Sequence, residues 1–312
     1  MYTDEDFILQ NAYAFREAFE ISVLNEGENT TFLASKDQRS TILRKYRSDR
    51  YALGQIRAEI EWLEALAGPL SVPRVIPNTE GHSVTTVQSS AKEQYYALFD
   101  YIEGTPIDAP SDQDYFELGE TLALLHETSD AISQRSAPDW NGFERPQYDR
   151  QYLVEESLQF LWEAPFLNAQ DKIRGEHLAT ALSDAYDKHS MNENFFIHGD
   201  AHMGNVLRTG DNLSLLDFDE CGFGHRALDI GVPRLHMISA RTVEPYWASL
   251  LNGYARKFTE EEIRTGTGLR IFYMAGKIPR RMDIEHLRRQ PGERIRRYFE
   301  YIENELSGKY PL

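Results

Sequence analysis

The sequence predicts an α+β protein in two lobes: a small antiparallel-sheet lobe with one long helix, and a larger, mainly helical lobe. Three features point there. Residues 1–102 carry short β-patterned runs bounded by turn residues, with one helical period among them. Residues 103–110, which contain Gly104, Pro106 and Pro110, read as a linker. Residues 111–312 return repeatedly to helical spacing, interrupted by one hairpin.

Residues 19–24 and 31–35 read as strands, and the run from Asn25 to Thr30 between them has turn composition. A third strand covers 41–46. Leu53, Ile56, Ile60, Leu63 and Ala67 recur at three- and four-residue steps, a helix that Gly68-Pro69 stops. Residues 84–87 and 96–102 complete the sheet. In the second lobe, Leu118, Leu122 and Leu125 mark one face of a helix ending near His126. Residues 150–190 are helix-rich, with a break at Pro165. A strand at 195–198 follows. Residues 206–208 and 213–216 then flank Thr209-Gly210-Asp211-Asn212, a hairpin signal. The remainder is helical.

At roughly 150 residues per domain, 312 residues suit about two lobes. Hydrophobic residues at 41% and charged residues at 27% exclude a wholly disordered chain. The net charge of −17 repels nucleic acid and anionic membranes. It suits a cationic substrate, although solubility is the commoner reason for acidity. The single cysteine, Cys221, excludes an intrachain disulfide and fits a reducing compartment. No apolar run reaches the ~18 residues of a membrane span. Asp4, Glu5 and Asp6 stand where a signal peptide is basic. A soluble, cytoplasmic protein is expected, with no nucleic-acid or membrane partner.

The chemistry concentrates in Phe196-Ile197-His198-Gly199-Asp200-Ala201-His202-Met203-Gly204-Asn205. A strand ends at His198, and Asp200 and Asn205 follow within one loop. Asp217 ends the second hairpin strand, so the hairpin can bring Asp200, Asn205 and Asp217 together. Two carboxylates and an amide oxygen are hard donors suited to Mg²⁺, which takes its other ligands from water and substrate phosphates. Loops favour Asp and Asn for turn reasons alone. By ordinary residue frequencies, however, His-Gly-Asp-x4-Asn arises in roughly one in a thousand chains of this size.

These residues carry a resemblance. His198-Gly199-Asp200-x4-Asn205, with Leu216-Asp217-Phe218-Asp219 and Ala227-Leu228-Asp229-Ile230-Gly231, resembles the aminoglycoside phosphotransferase superfamily. That group includes choline and homoserine kinases and a bacterial stress-response kinase. Its fold is similar to that of protein kinases. Other segments fall in the expected order, and Asp139-Trp140-Asn141-Gly142-Phe143-Glu144-Arg145-Pro146 is similar to a segment of uncharacterised members. The resemblance implies that Asp200 positions the substrate hydroxyl and takes its proton. Asn205 and Asp217 would hold Mg²⁺, His198 would prop the loop, and Asp229 would buttress it. The small lobe would hold ATP or GTP. Arg44, on the third strand, would meet the phosphates where the family usually has Lys, with neighbouring Lys45 as the alternative. Glu59 would pair with that cation. The Asn25–Thr30 loop, including Asn29 and Thr30, would form a nucleotide lid. The backbone from Asp100 to Ile102 would read the base.

Other features stay open. Asp219 suits a turn residue better than a ligand. His202 reads as a loop residue, and Cys221 as a small packing residue. Residues 269–297 carry nine cations against three acids, which reads first as a solvated basic face. Glu155, Glu156, Glu163 and Asp171 either line an amine pocket or form the wet side of a helix. The function expected is transfer of a γ-phosphoryl group to a hydroxyl of a small polar metabolite or aminoglycoside-type antibiotic. A Ser/Thr protein kinase of the stress-response type is the alternative. A nucleotide-binding pseudokinase is a third reading, opposed by the intact Asp200, Asn205 and Asp217.

Overall fold

The computed structural model describes all residues except 1–3, 16–18, 48, 89–92 and 136–143. Residues 139–143 of the Asp139–Pro146 segment therefore lie outside the described residues. The first element, helix α1 (Asp4–Ala12), is not signalled by the sequence. It is short and polar, and its buried residues are Ile8 and Leu9, which pack with Phe32 and Leu43 on one face of the sheet.

Strands β1 (Glu20–Glu26), β2 (Thr30–Lys36) and β3 (Arg39–Lys45) form an antiparallel meander. β1 and β2 run further into the expected turn than its composition suggests, leaving Gly27 to Asn29 as the connection. Helix α2 (Leu53–Leu66) follows as the periodicity predicts. β4 (Val75–Ile76), β5 (Thr85–Gln88) and β6 (Glu93–Asp100) complete the sheet, whose order is β1-β2-β3-β6-β4, with β5 also on β6. Tyr101 and Ile102 fall outside the strand.

The expected linker holds a two-residue strand, β7 (Thr105–Pro106), paired to the hairpin of the helical region. Helix α3 (Asp112–Arg135) does not end near His126. Beyond His126 the apolar spacing thins to Ile132, and Ser129 and Ser133 turn their hydroxyls back to the carbonyls four residues earlier. A π-helical turn (Gln151–Glu155) leads into α4 (Glu156–Glu163), and α5 (Ala169–Lys188) begins beyond the break at Pro165.

Strand β8 (Phe195–Ile197) pairs with β11 (Gly222–Gly224), and β9 (Val206–Thr209) with β10 (Asn212–Leu215). The chain ends in α6 (Arg226–Ala240), α7 (Val243–Tyr254), α8 (Glu260–Arg280), α9 (Glu285–Arg288) and α10 (Pro291–Leu306). One buried cluster runs through both parts of the molecule. Trp62 of α2 packs on Phe196 of β8 with ring centroids 3.6 Å apart, which ties the sheet's helix to the strand feeding the catalytic-type loop. Among the described residues, no helix is long and apolar enough to cross a membrane.

Candidate active site

The loop after β8 is fixed from beneath. Asp229, buried in the first turn of α6, accepts hydrogen bonds from the backbone N–H of His198 (2.8 Å) and Gly199 (2.6 Å). Its Oδ2 also lies 2.9 Å from His126 Nε2, whose other nitrogen meets the Tyr254 hydroxyl at 2.7 Å. Burial pushes the Asp229 carboxyl up, but His126, His198 and the Gly199 amide outweigh it and hold its pKa below the usual value. Gly199 has φ +80°, and a Cβ there would stand 2.3 Å from the Glu220 carbonyl. His198 accepts from the Asp200 N–H through Nδ1 (3.2 Å), so its Nε2–H donates to the Leu216 carbonyl (3.0 Å). Burial lowers its pKa, consistent with a neutral ring in that tautomer.

Asp200 follows on this scaffold. Its Oδ1 receives Arg270 Nη2 at 2.8 Å. Asn205 Nδ2 donates to the Asp200 carbonyl (2.9 Å) and more weakly to Oδ2 (3.3 Å). With that amide nitrogen committed, the Asn205 oxygen is the atom left to accept or ligate. Asp217 ends the hairpin in the left-handed region, at φ 60° and ψ 71°. Burial raises its pKa, and Arg44 pulls it down only in part. The structure thus brings Asp200, Asn205 and Asp217 onto one cavity of about 630 Å³.

The sheet supplies the other wall. Arg44 donates to Glu59 (2.8 Å) and to Asp219 (2.9 Å). Burial and the charge of Asp219 push the Glu59 carboxyl up to about 7, against the pull of Arg44. Lys45 points to the other side of β3, where it meets Glu5 at 3.2 Å. Asn29 Nδ2 donates to Asp219 at 2.6 Å. Thr30 does not line the cleft. In the register it is Thr31 that pairs with Arg44, and Thr31 lines the cavity. The Asp100 carboxylate accepts the Arg74 N–H at 2.7 Å, so backbone is what the Asp100 to Ile102 segment can offer at the cavity wall.

Sequence reasoning missed several members of this site. Asp219 is no mere turn residue, because it joins Arg44 and Asn29 in the cleft. Glu220 is buried and accepts from Lys277 (2.7 Å), Tyr273 (2.9 Å) and Arg50 (3.2 Å). Burial opposes its charge, but Lys277, Arg50 and Arg270 hold its carboxyl well below the usual range. Arg145 spans the turn after Asp217, donating to the carbonyls of Asp219 (2.6 Å) and Cys221 (2.8 Å). Cys221 is buried, and its thiol is pushed up to about 12. The basic segment is not simply a solvated face. Arg270, Lys277 and Arg281 turn inward to Asp200, Glu220 and Glu28. The seven-residue step from Arg270 to Lys277 puts both on one face of α8, a spacing visible in the sequence.

A model of the phosphotransferase enzyme family matches residues 20–268. The chain belongs to that family. An uncharacterised protein of Deinococcus radiodurans is 28% identical to this phosphotransferase over 248 residues, 76% of this chain and 69% of that protein. The solved structure of a microcompartment-associated aminopropanol kinase superposes with a TM-score of 0.81 at 22% identity, covering 96% of each chain. Amicoumacin kinase hAmiN, solved with AMP-PNP, Ca²⁺ and Ami, gives 0.76 at 18% identity over 97% of this chain and 94% of its own. The phosphotransferase is a kinase-type enzyme with the bilobal protein-kinase-like fold, and phosphotransfer onto small molecules is the activity its family supports.

Proposed function

We propose that the protein transfers the γ-phosphoryl group of ATP or GTP to a hydroxyl of a small molecule. The observation that carries this is one cavity lined at once by Asp200, Asn205, Asp217, Arg44 and the Asp100 to Ile102 segment. In this reading the nucleotide base and ribose take the part of the cavity lined by Ile42, Phe99, Leu207 and Leu216, and the Glu26 to Asn29 loop covers the phosphates. Arg44, held by Glu59 and Asp219, presents a fixed cation to phosphate oxygens. Asp217 and the Asn205 oxygen form a hard-oxygen pair that fits Mg²⁺. The incompletely compensated buried charge of Asp217 favours a cation there. Magnesium, when bound, supplies charge neutralisation on the β- and γ-phosphate oxygens.

Asp200 aligns the acceptor hydroxyl and takes its proton as the new O–P bond forms and the bond to the β-phosphate oxygen breaks. His198 and Asp229 keep the loop in place. The division into a nucleotide lobe (1–102), a linker (103–110) and a helical substrate lobe (111–312) is part of the same proposal. The nucleotide analogue and Ca²⁺ in the amicoumacin kinase structure support it. A soluble protein of the cytoplasm fits this reading. The test is ADP release with Mg-ATP and Mg-GTP across small alcohols, amino alcohols, sugars and aminoglycosides, with generic protein as comparison. Saturable turnover of a small molecule supports the proposal, and phosphorylation of protein alone refutes it.

A further inference from the structure

Asp229 and His198 fix the backbone of the catalytic-type loop, but they leave the Asp200 carboxylate free to turn about its own side-chain bonds. Three side chains approach that carboxylate. His202 Nε2 stands off Oδ2 at 3.9 Å, beyond hydrogen-bond reach. Asn205 Nδ2 meets Oδ2 at 3.3 Å, a long contact. Arg270 Nη2 meets Oδ1 at 2.8 Å, and that bond is charge-assisted.

Arg270 is itself held in place for this contact. It lies on α8, 70 residues from Asp200 in the chain, and its side chain is 4% exposed. The Tyr273 ring lies 5.3 Å from the guanidinium. Tyr273 is pinned in turn, because its hydroxyl donates to the buried Glu220 at 2.9 Å. Lys277 and Tyr148 also donate to that carboxylate. Among the described residues, Arg270 Nε and Nη1 make no hydrogen bond, so Asp200 is the carboxylate to which this guanidinium is hydrogen-bonded. A buried cation with one such partner resists turning away from it. The contact therefore fixes Oδ1 and leaves Oδ2 as the lightly held oxygen.

We propose that Arg270 is a positioning residue: its buried guanidinium holds Oδ1 of Asp200 and so aims Oδ2 at the acceptor oxygen. This rests on the kinase reading of the same site. The test reads ADP release from Mg-ATP by the full chain, with water as acceptor and with the acceptor panel above. Arg270→Met should lower kcat by about 10²-fold, the scale of a misplaced reacting group. Arg270→Lys keeps the charge and a donor without the planar fork, and should lose about tenfold. KM for Mg-ATP and the melting shift with Mg-ADP should keep their wild-type values in both, because the guanidinium acts through Asp200 and not on the nucleotide. In an Asp200→Asn background, each substitution should change kcat by less than about threefold, since the base it positions is gone. Equal losses in the two backgrounds overturn the proposal, because a merely structural role costs the same with or without the base. So does an unchanged kcat, or a loss confined to KM. Where Arg270→Met does not fold, the Arg270→Lys variants decide by the same criteria. Wild-type turnover beside any of these failures leaves the kinase reading standing, whereas a wild type that releases no ADP with any acceptor removes both.

Discussion

Asp200 has one oxygen committed and one more lightly held. Oδ1 takes a charge-assisted bond from the buried Arg270, while Oδ2 has the longer contact from Asn205 and lies 3.9 Å from His202 Nε2. Oδ2 is thus the atom suited to take a proton. Asp200→Asn keeps an oxygen for Arg270 and removes the base. Turnover should fall by roughly 10²–10⁴-fold with little change in melting temperature. A variant keeping more than about a third of wild-type kcat, far outside that range, would refute the role. On β3, Arg44 faces the cleft and Lys45 faces Glu5. Arg44→Ala should weaken nucleotide Kd more than Lys45→Ala, and calorimetric titration of both variants checks the order.

Two elements hold the loop and the turn that would do the chemistry. The start of α6 works as a staple, because Asp229 gathers two backbone amides and a buried imidazole. Asp229→Asn cannot accept all three equally and should lower the unfolding free energy by about 3 kcal/mol or more, read from urea midpoints. The turn after β10 carries Asp217. Mg-nucleotide at one hundred times Kd stabilises a fold by about 2.7 kcal/mol, a melting shift of roughly 5–10 °C at this size. Asp217→Asn should lose most of the magnesium-dependent part of that shift, and Asp200→Asn should keep it. Melting both with ADP, with and without magnesium, makes the comparison, and equal shifts would mean the two roles are not distinct. The His198-to-Asn205 loop was legible in the sequence because its geometry is encoded within a few residues. Asp219, Glu220 and Arg270 were not, because their partners lie 53 to 190 residues away in the chain. The sheet and α2 were legible from local periodicity. Helix α1, with a single adjacent buried pair, offered no period to read.

At the scale of the whole molecule, charge adds to the apolar packing where the sheet meets the helices. Glu28 of the β1–β2 connection is bracketed by Arg50, Lys277 and Arg281, while Arg50 also reaches Glu220 at 3.2 Å and Arg47 reaches Asp283 at 2.5 Å. These pairs are partly exposed, so salt screens them. From about 0.01 M to about 1 M salt the screening length falls from about 30 Å to about 3 Å. Amide hydrogen exchange at 25–29 should quicken over that range and should quicken likewise in Lys277→Met at low salt. Unchanged exchange in both would mean that packing, not charge, holds the loop down. The pairing of Thr105 and Pro106 with Arg208 and Leu207 has a mechanical consequence. It stitches the inter-lobe connection into the hairpin that carries Asn205 and Asp217. β6 anchors the near side up to Asp100, so only residues 101–104 lie between two pinned ends. A connection that short has few torsions to spend, so the cavity edge at Asp100 to Ile102 and the edge at Asn205 and Asp217 keep a fixed spacing.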